Sequence, residues 1–190
     1  MDPKTLKLNT ILLGLGAAAV LEFFARIIGT MPGLGLIRGL QAGAILVIVW
    51  KLEGSLALVG LERRTAAKGL AAGLIWSAGF GLLALLGFVV LSLGGFAPLE
   101  AFRTGLPHGL SNLVVFFAVG GLIGPAAEEI FFRGLVFGFF RRWGLAAALA
   151  VSTTLFVLAH GPGRAALWTQ AVGGLAFALS YEQSRSLVTP

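Results

Sequence analysis

Pro125-Ala126-Ala127-Glu128-Glu129-Ile130-Phe131-Phe132-Arg133-Gly134 decides how this chain is read. It sets two adjacent carboxylates and a guanidinium inside an apolar run from Leu113 to Phe140, where each charge costs about 2.5 kcal/mol or more. On a helix Glu129 and Arg133 lie four apart on one face and pair, while Glu128, about 100° round the axis, points elsewhere. Arg133 then holds its neighbour ionised and fixes the rotation of the helix, leaving Glu128 free to handle a proton. A plainer alternative makes Glu129 and Arg133 an interhelical clasp and Glu128 a cap on a helix broken after Pro125. Ionisable groups at membrane depth favour the functional reading.

Composition sets the class around that stretch. Of 190 residues, 57% are hydrophobic and 12% charged, and the mean hydropathy is +0.95. These values exclude an ordinary soluble domain. Apolar runs long enough for a bilayer core of about 30 Å recur along the whole length. The expectation is an all-α, polytopic transmembrane bundle of about six spans, forming a single membrane domain over residues 1–190. Residues 1–109 supply three N-terminal spans, and residues 110–190 supply the helices that carry the chemistry. Cysteine is absent, which removes disulfides and thiolate metal sites. The net charge of +6 comes from basic residues at the ends of apolar runs, a pattern of membrane orientation and not of nucleic-acid binding.

In chain order, the first span covers Thr10 to Ile28, with Glu22 and Arg26 four apart and expected to pair at the interface. Lys4, Lys7 and Ala17-Ala18-Ala19 have the look of a signal peptide, but the run continues through Phe24 and further spans follow, so it is read as a retained helix. Met31-Pro32-Gly33 is the expected turn, and Leu34 to Trp50 the second span, from which Arg38 is expected to reach the headgroups, contact with a substrate or with Glu22 being the lesser alternative. A basic loop with Lys51, Arg63, Arg64 and Lys68 precedes a third span, Gly69 to Leu93. Arg103, Pro107 and His108 fall in the next loop, where a lone histidine without partner spacing is read as solvated. Leu110 to Phe140 is too long for one straight crossing and is expected to tilt, bend or protrude, with Pro125 beside Gly124 offering the place for a bend. Gly120 with Gly124, and Gly134 with Gly138, have the spacing of close helix contacts. Leu145 to His160 is a short fifth span stopped by Gly161-Pro162-Gly163, and Ala165 to Tyr181 is the sixth. Alternating sides from the N-terminus puts nine basic residues on one face and four on the other, with Arg133 between. That asymmetry places the N-terminus in the cytoplasm.

Phe156-Val157-Leu158-Ala159-His160 supplies the partner for Glu128. Counting from the shared turn at Arg142 and Gly144, Glu128 and His160 stand about 21 and 24 Å along antiparallel helices. At that matched depth the imidazole can orient a water for the carboxylate, share its proton, or join it in holding a metal. A histidine capping the end of its own helix is the structural alternative.

At these residues the chain resembles the CAAX-protease and bacteriocin-processing (CPBP) family of intramembrane proteases. Its Glu-Glu-x-x-x-Arg motif is matched by Glu128, Glu129 and Arg133, and its Phe-x-x-x-His motif by Phe156 and His160. The resemblance runs from about Val114 to the C-terminus, with the first three spans alike only in general character. It implies an intramembrane endopeptidase of the CAAX-protease type with Glu128, His160, Glu129 and Arg133 as catalytic-site residues. It also implies a multi-pass protein of a bacterial-type plasma membrane, acting among membrane lipid on a peptide or protein substrate, which the family allows to be lipid-modified. In the metalloprotease scheme a divalent metal such as zinc is held by Glu128 and His160; in the other, Glu128 activates water directly. The family's third motif, a His followed four residues later by Asn or Asp, is not in the sequence, which reads as a chain truncated short of it. Two other functions are open to this composition: a non-catalytic immunity or scaffold protein of the same fold, and a small proton-coupled transporter.

Overall fold

The computed structural model describes residues 5–97, 105–160 and 164–190, without the side chains of 164–166. Every regular element among them is helical: α1 (Leu8–Ile28), α2 (Met31–Glu53), a short 3-10 turn (Leu56–Val59), α3 (Arg63–Leu93), α4 (Leu110–Trp143), α5 (Leu145–Ala159) and α6 (Arg164–Ser184). The described residues form an all-α bundle of six rods. Four of these, α1 to α4, are long and apolar enough to cross a bilayer by length and composition. α5 has 15 residues and is shorter than a crossing requires. α6 has 21 but is less apolar, with Gln170, Glu182 and Gln183 along it. Lys4, Arg103 and the expected stop at Gly161-Pro162-Gly163 lie outside the described residues.

The first turn falls earlier than Met31-Pro32-Gly33. Gly29 adopts a left-handed φ of 61° and Thr30 caps α2, its hydroxyl accepting from the Gly33 N–H at 3.3 Å. Proline needs no amide partner in a first helical turn, so Pro32 starts α2 rather than interrupting the chain. The basic stretch is likewise mostly helix. Lys51 closes α2, where a cation suits the carbonyl end, and Arg63, Arg64 and Lys68 open α3.

α4 runs about 51 Å as a 34-residue rod. It is not broken at Pro125. Ile123 and Gly124 keep helical dihedrals before Pro125 (φ −69°, ψ −47° and φ −59°, ψ −58°). The preceding turn, Val119–Ile123, widens to a π-helix in which the Gly124 N–H reaches the Val119 carbonyl. Widening makes room for the proline ring, which in a regular turn clashes with the preceding backbone. A second π stretch, Ile130–Phe137, follows Glu129, so the acidic pair sits between two widened turns.

The core has two parts. Ile11, Ile45, Val49, Val59, Leu135 and Phe139 join α1, α2, the 3-10 turn and α4. Phe137, Ala148, Ala178 and Tyr181 join α4, α5 and α6. Gly134 approaches Val59 and Gly138 approaches Leu6, whereas Gly120 and Gly124 meet no neighbouring helix closely; the tightest approaches to other elements fall instead at Gly14, Gly33, Gly35, Gly60, Gly69 and Gly73. Much of the outer surface is apolar, with Leu74, Ile75, Leu93 and Leu110 among the most exposed, as a lipid-facing bundle requires.

α3 is the loosest rod; only Gly69 and Gly73 are buried along it. The Trp76 indole donates to Gln183 at 2.6 Å, and the C-terminal tail lies along α3, with Thr189 donating to the Gly69 carbonyl at 3.1 Å and Leu187 to the Gly60 carbonyl at 3.0 Å. A methyl group at Gly73 would stand 2.7 Å from the Thr189 backbone oxygen, while one at Gly79 meets nothing within 4 Å. Gly73→Ala is therefore expected to displace the tail and cost about 1–3 kcal/mol. Gly79→Ala is expected to hold or raise stability through helix propensity. Thermal unfolding of both in detergent checks this, and equal midpoints would refute the tail contact.

Candidate active site

Arg133 is buried completely, with 0% side-chain exposure, and its surroundings account for that. Its Nη1 lies 2.9 Å from Glu129 Oε1, and Nη2 donates to the Gly174 carbonyl of α6 at 3.1 Å. The rings of Phe156, Phe177 and Phe132 stand 4.7, 5.3 and 5.9 Å from its guanidinium carbon. A planar, weakly hydrated cation can be held this way where an ammonium could not. Three helices thus close on one side chain. With Glu129 turned inward to Arg133, the next residue round the axis, Glu128, faces a cavity.

α5 brings His160 to the same place. Its Nδ1 lies 2.8 Å from the Phe156 carbonyl, freed at the helix end; a carbonyl only accepts, so Nδ1 carries the hydrogen and in the neutral ring Nε2 is left bare. Nε2 stands 3.7 Å from Glu128 Oε2, too far for a direct hydrogen bond. Both side chains are about one-third exposed, 27% and 30%. Two acceptors facing across that gap leave room for one water to touch both. The capping role and the cavity-facing role are therefore shared between the two ring nitrogens. Phe156 ties the arrangement down, with its ring 4.3 Å from the imidazole and 5.1 Å from Phe132, while Ser152 donates to the Phe132 carbonyl at 3.0 Å.

The cavity measures about 490 Å³. Phe131, Phe132, Ala127 and Ala159 join Glu128 and His160 on one side, and α1 and α2 contribute Leu15, Ala18, Ala19, Glu22, Arg26, Arg38 and Gln41. Arg38 does not extend away to the headgroups. Its Nη1 donates to Glu22 at 2.7 Å and to Gln41 at 2.8 Å, and Gln41 donates to the Ala18 carbonyl at 3.3 Å. Glu22 consequently pairs with Arg38 across the hairpin and not with Arg26 on its own helix. Polar partners inside a wall of the bundle outweigh the reach to water. His108 is exposed and outside this cavity.

Residues 110–190 match the family model described as type II CAAX prenyl endopeptidase Rce1-like. The match covers 81 of the 190 residues and is a likeness of this segment to that family. The match begins at the first residue of α4 and covers every residue of the two motifs, in agreement with the resemblance read from them. No curated protein and no solved structure matches the chain. That family is one of proteases, and in this chain the matched segment follows three helices long and apolar enough to cross a bilayer.

As for a metal, a catalytic zinc rests on three protein ligands. Glu128 and His160 offer two, and no cluster of three or more His, Cys, Asp or Glu side chains exists among the described residues. These residues do not by themselves make a zinc site.

Of the α1 and α2 residues, only contact of Arg38 with Glu22 or a substrate was foreseen, as the lesser alternative, yet a signal for this wall was present. Glu22 lies seven residues before the Gly29 turn and Arg38 nine after it, so the depth count that pairs Glu128 with His160 pairs these two as well.

Removing one partner of a buried ion pair costs about 3–5 kcal/mol because the other charge is stranded. Arg133→Met should therefore lower the unfolding midpoint sharply, and Glu129→Gln with Arg133→Met should recover part of the loss. Equal stability of the single and double variants, measured by thermal unfolding in detergent, would contradict a coupled pair.

Proposed function

We propose that this protein is an intramembrane endopeptidase of the CAAX-protease type in which Glu128 activates a water for attack on a peptide bond. The opposition of the Glu128 carboxylate and the bare His160 Nε2 at 3.7 Å, across a cavity within the bundle, carries this reading. A water between them gives a proton to Glu128 as its oxygen bonds to the scissile carbonyl carbon. Glu128 passes that proton to the departing amine, and His160 holds the water in line. Glu129 and Arg133 act through position: their pair sets the rotation of α4 that turns Glu128 to the cavity.

Apolar walls from Leu15, Phe131 and Phe132 favour a substrate with apolar or lipid-modified residues. The excess of Lys and Arg on the face bearing Lys7, Lys51 and Arg141 supports a cytoplasmic N-terminus in a bacterial-type plasma membrane.

Purified protein in detergent or nanodiscs should cleave members of a quenched-fluorescent peptide mixture. Glu128→Gln and His160→Ala should each lower the rate about 10²–10⁴-fold with unchanged unfolding midpoints. Undiminished cleavage by Glu128→Gln would end the proposal. Full biological effect without any cleavage would favour an immunity or scaffold role for the same fold.

A further inference from the structure

The two ends of the bundle differ in charge and in packing. Lys7 donates to the Leu52 carbonyl and stands 3.9 Å from Glu53, Arg142 meets the Leu6 carbonyl, and Arg141 pairs with Glu182 at 2.9 Å. These contacts gather the start of α1, the close of α2, the turn after α4 and the close of α6 at one end. Lys51 at the close of α2 and Arg63 and Arg64 at the opening of α3 join them there. At the opposite end α1 and α2 carry only Arg26 and Arg38, the latter offset by Glu22, and α6 opens with Arg164. An excess of Lys and Arg marks the cytoplasmic side of a spanning bundle, so the crowded end is the inner one.

The cavity lies toward the sparse end. Glu128 and His160 stand about 21 and 24 Å from the basic turn at Arg142 and Gly144. Along α1, Arg26 on the cavity wall is about 28 Å from Lys7. In a hydrocarbon core of about 30 Å these depths fall in the outer third. Toward the basic end the space is closed by packing: Ile11, Ile45, Val49, Leu135 and Phe139 follow the cavity residues along α1, α2 and α4, and each is at most 5% exposed. Toward the other end the wall is open. Ala19, Arg26 and Ala159 line the cavity and are exposed.

We infer that the cavity opens on the extracytoplasmic face, and that its substrate is a segment of an exported or membrane-anchored polypeptide presented at the outer surface of the plasma membrane. The substrate class rests on the peptidase reading; the direction of the opening rests on packing and charge.

The sequence contains no cysteine, so single thiols report without background. Ala19→Cys and Ala159→Cys place one on each cavity wall, and Ser55→Cys places one in the exposed connection between α2 and α3 without removing a charge. Each full-length variant, expressed in bacterial cells, is treated with a charged, membrane-impermeant methanethiosulfonate as intact spheroplasts and as inverted membrane vesicles. Thiols that escape are then counted by gel shift with a polyethylene glycol maleimide after denaturation. The two cavity thiols should be blocked in spheroplasts and spared in inverted vesicles, and Ser55→Cys should show the reverse.

Reversal of all three overturns the inference, because the bundle then lies the other way round. Blocking of all three from one face overturns it too, as do cavity thiols that react from both faces or from neither. Two cavity positions on different helices keep the test decisive if one variant fails to insert. Labelling reads no cleavage, so an outward opening in a protein without peptidase activity would leave the direction standing and remove only the substrate class. Where cleavage occurs, a quenched peptide bearing a membrane-impermeant sulfonated dye should be cut when added to spheroplasts and spared when added to inverted vesicles. The opposite pattern would overturn the substrate class.

Discussion

The bundle depends on how one guanidinium is kept out of water. Arg133 has no solvent, so its charge is met by Glu129, by the Gly174 carbonyl and by three aromatic rings contributed by α4, α5 and α6. A charge stranded at that depth would cost several kcal/mol. The arrangement therefore leaves little freedom in the rotation of α4 or in the distance of α5 and α6 from it. The same contacts that solvate Arg133 also set Phe156, and Phe156 sets the imidazole that faces Glu128.

Around that anchor, the backbone is adjusted where side chains need it. Two π stretches bracket Glu128 and Glu129, one before Pro125 and one running under Phe132 and Arg133. Each widened turn shifts the helical register, so the outward and inward faces of α4 are not those of a regular 3.6-residue spiral over its whole length. Ser152 takes up the Phe132 carbonyl within the second. Wide turns at membrane depth persist because neighbouring helices supply partners for their carbonyls.

The α1–α2 hairpin closes the other wall of the cavity, and it is polar where a purely structural hairpin would be apolar. Glu22, Arg38 and Gln41 form a connected set anchored on the Ala18 carbonyl. Two unlike walls thus meet at the cavity: α4 and α5, which bear the acid and the imidazole, and a hairpin bearing cations. The cavity exists only between them.

Composition and run length alone determined the helical membrane class, because hydrocarbon requires every backbone group to be bonded within its own rod. Spacing alone determined that Glu129 would pair with Arg133, since both lie on one helix, and depth counting brought Glu128 level with His160. The helix ends shifted at Met31-Pro32-Gly33 because proline is as acceptable at a helix start as in a turn. Which way Arg38 would point, that Glu22 would choose it over Arg26, and that the tail would lie across Gly69 and Gly73 were decided only in the tertiary structure. Those outcomes turn on helix rotation and on distances between segments far apart in the chain, quantities that a one-dimensional pattern of residue types does not contain.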